Sequence, residues 1–222
     1  MSESPSLIMF PGVGADHRLF QPQKRAFPQL EVPAWVPPRD HETLPEYAAR
    51  LAGTLRISRP LVLGGVSFGG MLAYEMARRL RPEAVVLIAS CRTREGISPL
   101  LRRFRPVVAR LPLEVGDAAK LIAPLAVATF RLLSPTQRQL CLEMFQQADS
   151  RFMRWVITAI LGWEPCALEG VPVCQIHGRH DPVIPAARIE ADEIVADGGH
   201  LINLSHAEQV NAFIRKAMER LP

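Results

Sequence analysis

Four short apolar runs, each bounded by glycine, proline or charge, most constrain how this chain can fold. They are residues 7 to 10, 61 to 63, 85 to 88 and 173 to 176. Runs of this length are typical of strands buried on both faces of a sheet. Helical patterns at residues 44 to 55 and 71 to 80 separate them, and Thr43 with Glu46 predicts a capping box for the first. The alternation predicts an α/β fold with a mainly parallel sheet of about six strands flanked by helices, with any site at the carboxyl ends of the strands.

Residues from about 92 to 164 interrupt this alternation. Their pattern is that of several helices separated by prolines, with no convincing strand. Sheet character returns at Val173, a further strand is predicted around residues 193 to 195, and an amphipathic helix over residues 207 to 221 follows. We therefore predict a single domain over residues 1 to 222, with a helical cap inserted at about 92 to 164.

The strongest indication of chemistry is a G-x-S-x-G sequence between a predicted strand and a predicted helix, Gly65-Val66-Ser67-Phe68-Gly69. In this setting it is a nucleophile elbow, whose strained backbone pushes the serine hydroxyl above the sheet while the glycines leave room for the turn. The helix behind it offers a positive dipole end and backbone N–H groups. The alternative is a glycine-rich turn with an incidental serine, which the flanking elements disfavour. Ser67 is the predicted nucleophile.

A serine hydroxyl needs a base to take its proton and an acid to orient that base. Asp181 follows the predicted strand at residues 173 to 176 and is the predicted acid, although an aspartate that opens a turn before a proline is common. His177 and His180 flank Asp181 and could tune it, but loop histidines without a role are the simpler interpretation.

The predicted base is His200, which follows two glycines after the last predicted strand. Those glycines allow a loop to bring the imidazole over the sheet. His206 is the rival, interpreted more simply as a residue at the start of the final helix. With His200 as base, the chain order of serine, acid and histidine matches the order expected of an elbow enzyme.

The loop after the first predicted strand has the sequence Phe10-Pro11-Gly12-Val13-Gly14. Its glycines allow the backbone N–H of Val13, or of a neighbouring residue, to point at a substrate oxygen, with the N–H of Phe68 as second donor. A tight turn without a role is the alternative. Because an elbow serine is present, we predict an oxyanion hole of Val13 and Phe68 and a substrate contact at Gly12.

The elbow, the Phe-Pro-Gly loop, the His-Gly-x-x-Asp-x-x-x-Pro segment and the Gly-Gly-His segment together resemble the α/β-hydrolase superfamily over nearly the whole chain. The resemblance implies a triad of Ser67, Asp181 and His200, an oxyanion hole from Val13 and Phe68, and a helical cap over the pocket. The chain departs from the family where Pro11 replaces a frequent histidine, and it begins at what would be the family's third strand. We therefore expect a trimmed version of the fold.

A serine nucleophile favours acyl transfer to water. The elbow helix is similar to that of type II and carrier-linked thioesterases, whereas the cap looks more like that of small carboxylesterases. We predict ester hydrolysis through an acyl-enzyme on Ser67. Thioester cleavage, a lyase that uses the same triad, and a binding protein with negligible turnover remain as alternatives. Trp155 belongs to an apolar cluster predicted to line the acyl pocket, although packing of the cap on the core explains most of that cluster.

Charge and composition bear on partners. Six arginines lie in or near the predicted cap: Arg92, Arg94, Arg102, Arg103, Arg105 and Arg110. They could bind the phosphate of a phosphopantetheine arm or an acidic carrier protein. The alternative is that they form a solvated basic face on amphipathic helices. The balance of 26 Lys+Arg against 22 Asp+Glu is far from that of a nucleic-acid binder. The apolar runs are too short for a membrane span or a signal peptide, and the cysteine spacing suits neither zinc nor a disulfide framework. We expect a cytoplasmic enzyme without metal or cofactor, acting on a small-molecule ester or acyl substrate.

Overall fold

The computed structural model describes residues 5 to 97 and 132 to 219. Its six strands form one sheet in the order β2-β1-β3-β4-β5-β6, and every pairing is parallel. The strands are β1 Ser6–Phe10, β2 Leu30–Glu31, β3 Leu61–Val66, β4 Ala84–Ile88, β5 Val173–Gly178 and β6 Glu193–Val195. The predicted parallel sheet is confirmed. The edge strand β2 was not predicted, because two residues are too few to give a periodic pattern.

Helices cover both faces of the sheet. In the described residues they are α1 Gln21–Ala26, α2 Leu44–Ala52, α3 Phe68–Leu80, α4 Pro135–Gln147, α5 Ser150–Leu161, α6 Ile202–Ser205 and α7 Ala207–Glu219. Alternate strand residues point to opposite faces, so Ile8 and Leu63 pack against α2, α3 and α5 while Leu7 and Val62 pack against the other helices. No helix of the described chain is long and apolar enough to cross a bilayer.

Two predicted helix boundaries are wrong, each for a local reason. Helix α2 ends at Ala52 rather than at residue 55, because the N–H groups of Gly53 and Thr54 turn back to carbonyls three residues earlier. Helix α3 begins at Phe68 rather than at residue 71, because Ser67 itself occupies the position before the first turn. The capping box of Thr43 and Glu46 is confirmed, and the Thr43 N–H donates to the Glu46 carboxylate at 2.8 Å.

Part of the predicted cap, residues 98 to 131, lies outside the described residues. The described remainder contains α4 and α5, whose first turns are capped by the side chains of Ser134 and Asp149. Phe152 of α5 packs with the α2 and α3 face of the core, whereas Met144 of α4 packs with the opposite face. Helices α4 and α5 therefore pack on opposite faces of the sheet. The division into a single domain and an inserted cap stays a prediction.

Helix α3 holds the chain where it returns from the inserted region. The buried carboxylate of Glu75 accepts hydrogen bonds from the Trp163 indole and the Arg78 guanidinium, each at 2.9 Å. The Arg78 guanidinium and the Tyr74 hydroxyl both donate to the carbonyl of Cys166. These contacts fix the segment around Cys166 on α3, the helix that begins directly after Ser67.

Gly69 lies where α3 passes closest to β1. A Cβ at this position would overlap the backbone carbonyl of Phe10, and backbone atoms cannot turn aside as a flexible side chain can. We expect Gly69→Ala to reduce the free energy of unfolding by about 4 kcal/mol or more, measured by urea denaturation. Gly53→Ala is the control, because a Cβ there would meet the Arg50 carbonyl oxygen at an ordinary 3.4 Å, and we expect a change below about 1 kcal/mol. Equal stability of the two variants would contradict the expectation.

Candidate active site

The ends of three neighbouring strands, β3, β4 and β5, place Ser67 and Asp181 along one edge of the sheet. The Ser67 N–H, just past β3, donates to the Ile88 carbonyl at the end of β4 at 3.0 Å. The Ala89 N–H in turn donates to the Ile176 carbonyl of β5 at 3.0 Å. The loops that carry Ser67 and Asp181 therefore leave the sheet at the same carboxyl edge, where parallel α/β sheets bind their ligands.

Ser67 has the strained backbone expected of an elbow. Its φ is 55° and its ψ is −122°, a combination that a non-glycine residue keeps only when its surroundings enforce it. The Ser67 carbonyl accepts from the Gly70 N–H at 2.9 Å and from the Ser90 hydroxyl at 2.7 Å. The buried Ser90, just after β4, thus supports the elbow. In the sequence, the only signal for this role of Ser90 is its position after the strand next to the elbow.

Asp181 and His200 form a buried hydrogen-bonded pair. Nδ1 of His200 lies 2.7 Å from Oδ2 of Asp181. Oδ1 of Asp181 accepts from the N–H groups of Val183 and Ile184, at 2.7 and 2.9 Å. Because a carboxylate can only accept, Nδ1 of His200 carries a proton, and in the neutral imidazole the lone pair then lies on Nε2. A histidine held in this tautomer can take a proton through Nε2.

The surroundings of Asp181 keep its carboxyl group ionised. Burial alone would raise its pKa, but hydrogen bonds from His177, His200 and the Ile184 backbone outweigh burial and hold the pKa well below its ordinary value of 3.8. Asp181 therefore carries a negative charge beside His200 throughout the neutral range.

The rival base, His206, lies after α6 and has other partners. Its Nε2 is 3.1 Å from the exposed carboxylate of Asp197, and its Nδ1 is 2.8 Å from the Ser205 hydroxyl. The side chain of His180, the residue before Asp181, is exposed, and the backbone N–H of His180 donates to the Gly198 carbonyl at 2.9 Å. The structure thus joins His200 to Asp181 by a direct hydrogen bond, whereas the contact between His200 and Ser67 on which a triad depends stays a prediction.

The Phe-Pro-Gly loop lies against the elbow. A Cβ at Gly12 would be 3.4 Å from Cβ of Ser67, so the backbone of this loop runs beside the predicted nucleophile. In the described parts of the chain, the N–H groups of Val13 and Phe68 donate to no protein acceptor. Gly14 has a φ of +70°, and the ring of Phe145 from α4 packs against it. The roles of Gly12, Val13 and Phe68 stay predictions that this placement permits.

Trp155 belongs to a cluster of aromatic rings behind Phe68. Its ring centroid lies 4.4 Å from that of Tyr47 and 6.1 Å from that of Phe68, and its Nε1 donates to the Glu42 carbonyl at 2.7 Å. The ring centroid of Trp35 lies 5.8 Å from that of Phe68. These contacts pack α5 onto α2 and the elbow, and the predicted role of Trp155 in binding substrate stays a prediction.

Trp35 also borders a cavity of about 470 Å³ beside the loop that follows β1. Apolar groups dominate its wall, including Val36, Met144 and Phe152, while Asp16 and Arg151 also line it. No sequence pattern predicts this cavity, because its wall combines three segments that are distant in the chain, residues 14 to 16, 35 to 38 and 144 to 152.

Buried amides fix the segment after His200. Nδ2 of Asn203 donates to the Leu19 carbonyl at 2.9 Å, and Nε2 of Gln23 donates to the Asn203 carbonyl at 2.9 Å. Both side chains are fully buried. They join α6 to the region after the Phe-Pro-Gly loop, and a single amide in a helical pattern gave no sequence signal of this role.

Two of the six arginines predicted to contact a carrier lie in the described residues, and both form ion pairs within this chain. Arg92 pairs with Glu190 at 3.4 Å and Arg94 pairs with Glu164 at 2.8 Å. Arg102, Arg103, Arg105 and Arg110 lie outside the described residues. A carrier protein or coenzyme A as partner stays a prediction.

Comparison with known proteins gives the family. The family model described as "Alpha/beta hydrolase family" matches residues 7–213. The chain belongs to the α/β-hydrolase family. This α/β hydrolase has the fold that its sequence motifs implied, and membership of the family places it in the hydrolase class of enzymes.

Two solved structures show the same fold at low identity. This α/β hydrolase is 22% identical to the enol-lactonase of Burkholderia xenovorans LB400, with a TM-score of 0.74 over 99% of this chain and 93% of that chain. It is 20% identical to YbtT, a type II thioesterase from the yersiniabactin NRPS/PKS pathway, with a TM-score of 0.62 over 100% and 94% of the two chains.

A curated relative is much longer than this α/β hydrolase. The AMB antimetabolite synthetase AmbE of Pseudomonas aeruginosa PAO1 is 29% identical over 188 residues. The match covers 73% of this chain and 8% of the synthetase. The hydrolase thus resembles one small part of that protein.

Proposed function

We propose that this α/β hydrolase cleaves an ester bond of a small or acyl-chain substrate through an acyl-enzyme on Ser67. The observation that supports the proposal best is the buried Asp181–His200 hydrogen bond of 2.7 Å, at the same sheet edge as the strained Ser67. An imidazole oriented by a carboxylate can activate a serine hydroxyl that is otherwise a weak nucleophile.

In the first half of the proposed reaction, Oγ of Ser67 attacks the ester carbonyl carbon and Nε2 of His200 takes the hydroxyl proton. The Asp181 carboxylate stabilises the resulting imidazolium. The carbonyl oxygen becomes negative and accepts from the N–H groups of Val13 and Phe68, at the positive end of α3. The tetrahedral intermediate then expels the alcohol, which receives its proton from His200.

In the second half, a water molecule loses a proton to His200 and attacks the acyl carbon on Ser67. The bond to Oγ breaks, the serine regains its proton from His200, and a carboxylic acid leaves. The cavity of about 470 Å³ beside Trp35 has the apolar walls that an acyl chain requires. Gly14 of the Phe-Pro-Gly loop forms part of its wall, so an acyl group that extends from Ser67 past this loop would reach it.

Thioester cleavage is the second candidate, with the same steps and a thiolate as leaving group. It is favoured by the likeness of this chain to part of an antimetabolite synthetase and, in fold, to a type II thioesterase. In that case a carrier-linked or coenzyme A-linked acyl group would be the substrate.

A chain-length series of p-nitrophenyl esters and matched acyl thioesters tests both candidates. We expect saturable hydrolysis, and an acyl adduct on the peptide that contains Ser67 when turnover is quenched with acid and analysed by mass spectrometry. A higher kcat/KM for esters supports ester cleavage, and a higher value for thioesters supports the second candidate. A folded enzyme that hydrolyses neither series and forms no adduct would contradict both.

A further inference from the structure

A second imidazole contacts the predicted triad acid. Nε2 of His177 lies 3.1 Å from Oδ2 of Asp181, the same oxygen that His200 contacts. Nε2 of His177 also lies 2.7 Å from the Ile184 carbonyl oxygen. His177 belongs to β5 and its side chain is fully buried. The Asp181 carboxylate is therefore held between two histidines from different segments.

The contacts of His177 define its tautomer. The Ile184 carbonyl and the ionised Asp181 carboxylate both only accept hydrogen bonds, so Nε2 of His177 carries a proton. Nδ1 is buried and has no hydrogen-bond partner within residues 5 to 97 and 132 to 219. A proton on Nδ1 would be a buried donor without an acceptor, which is costly. His177 is therefore the neutral tautomer protonated at Nε2.

We propose that His177 is a positioning residue for the reaction: its Nε2–H, shared between Asp181 and Ile184, fixes the carboxylate against His200 and limits how strongly the carboxylate holds the imidazolium proton. The inference rests on the proposed function, since it concerns the same acid and base. His177 touches neither the nucleophile nor the substrate in this mechanism, and it acts only through Asp181.

The physical basis is the saturation of the Asp181 carboxylate. Oδ1 accepts from two backbone N–H groups, and Oδ2 lies 3.1 Å from Nε2 of His177 and 2.7 Å from Nδ1 of His200. Without the His177 donor, Oδ2 would keep more negative charge for His200 and favour its imidazolium form. The carboxylate would also lose one of the contacts that set its orientation. Both consequences reduce the fraction of enzyme that can accept the Ser67 proton.

Few other charges face this cluster in the described chain. His177 comes from β5 and His200 from the loop after β6. The exposed residues Arg179 and His180 lie on the loop of Asp181 itself, and Asp197 is paired with His206. A change at His177 should therefore act on the reaction through Asp181 and His200.

The test compares His177→Leu, which removes the donor, with His177→Gln, whose amide nitrogen can take the place of Nε2. We expect His177→Leu to lower kcat by about a hundredfold with little change in KM, and to move the acid limb of the pH profile of kcat/KM to higher pH. We expect His177→Gln to recover activity to within about tenfold of the parent. The rate of inactivation by a fluorophosphonate should follow the same pattern, and it needs no knowledge of the natural substrate.

A purely structural role would lower the melting temperature of His177→Leu without moving the acid limb, and this result would overturn the proposal. Should His177→Leu not fold, ¹⁵N NMR of the histidines in the parent protein decides, because a proton found on Nδ1 of His177 overturns the proposal and one on Nε2 supports it. Ser67→Ala separates the two proposals. If Ser67→Ala keeps full activity, the proposed function fails. If it is inactive while His177→Leu matches the parent, only the role of His177 fails.

Discussion

Replacing Ser67 with alanine is expected to lower kcat/KM for the preferred ester by a factor of about 10⁴ or more, because no acyl-enzyme can form. The folding transition should change little, since alanine removes only the hydroxyl. The backbone contacts that enforce the elbow, from Ile88, Ser90 and Gly70, do not involve the Ser67 side chain. Initial rates over a range of ester concentrations measure the effect.

Ser58→Ala is the matched control, because Ser58 is an exposed serine whose hydroxyl contacts only the Ser6 hydroxyl among the hydrogen bonds of the described residues. We expect its activity to stay within about twofold of the parent. A fluorophosphonate should label the parent and Ser58→Ala, and should leave Ser67→Ala unlabelled. Full activity of Ser67→Ala would show that another group attacks the substrate.

Replacing Asp181 with asparagine is expected to lower kcat by about 10⁴-fold while the shape of the site is kept. The asparagine oxygen will be drawn to the two backbone N–H groups that now bind Oδ1. Its amide N–H would then face Nδ1 of His200 and favour the tautomer with the proton on Nε2. That tautomer cannot accept the serine proton. The measurement is kcat across the pH range on the preferred ester.

Asp197→Asn is the control for this substitution, because it alters an exposed carboxylate in the loop that precedes His200. We expect its kcat to remain within a factor of about three of the parent. An equal decrease in kcat for both variants would mean that this part of the chain tolerates no change in charge. It would contradict the role of Asp181 as the acid that orients His200.

The Asp181→Asn variant also shows how Asp181 contributes to the free energy of unfolding at different pH values. The pKa of Asp181 in the folded protein is held below its ordinary 3.8, so the unfolded chain takes up this proton first. The stabilisation is complete above about pH 5 and is lost as the pH falls towards the folded pKa. We expect the parent to lose more free energy of unfolding than Asp181→Asn when urea titrations are compared at neutral and acid pH. Parallel losses would contradict this.

The sequence was most informative where structure depends on neighbouring residues. The buried strands, the capping box at Thr43 and the strained turn at Ser67 each follow from residues within a few positions of one another. Asp181 and His200 could be proposed because loops after parallel strands meet at one edge. The edge strand β2 and the true start of α3 were missed, because a two-residue strand and a helix that begins inside a glycine-rich turn carry little periodicity.

The supporting residues were missed for a different reason. Ser90, Asn203 and the Nε2 contact of His177 act through single atoms of segments that are distant in the chain. A sequence pattern gives the type of a side chain and the face on which it lies, but not the direction of one hydrogen bond. The sequence therefore predicts the members of a triad, whereas the groups that support the backbone and side chains of those residues become visible only in the three-dimensional structure.

The hydrogen bonds between α3 and the segment around Trp163 and Cys166 bear on how substrate specificity can change in an enzyme of this kind. The predicted insert follows β4 in the chain. Where the chain returns to the sheet, Trp163 and Cys166 are hydrogen-bonded to side chains of α3. Each described hydrogen bond to the Ser67 backbone comes from residues 70, 71, 88 and 90, outside that region. We expect that exchanging part of the predicted insert would change what reaches Ser67, while these described hydrogen bonds to the Ser67 backbone would remain. Substrate selection and the backbone shape of the elbow would in that case depend on different segments of the chain.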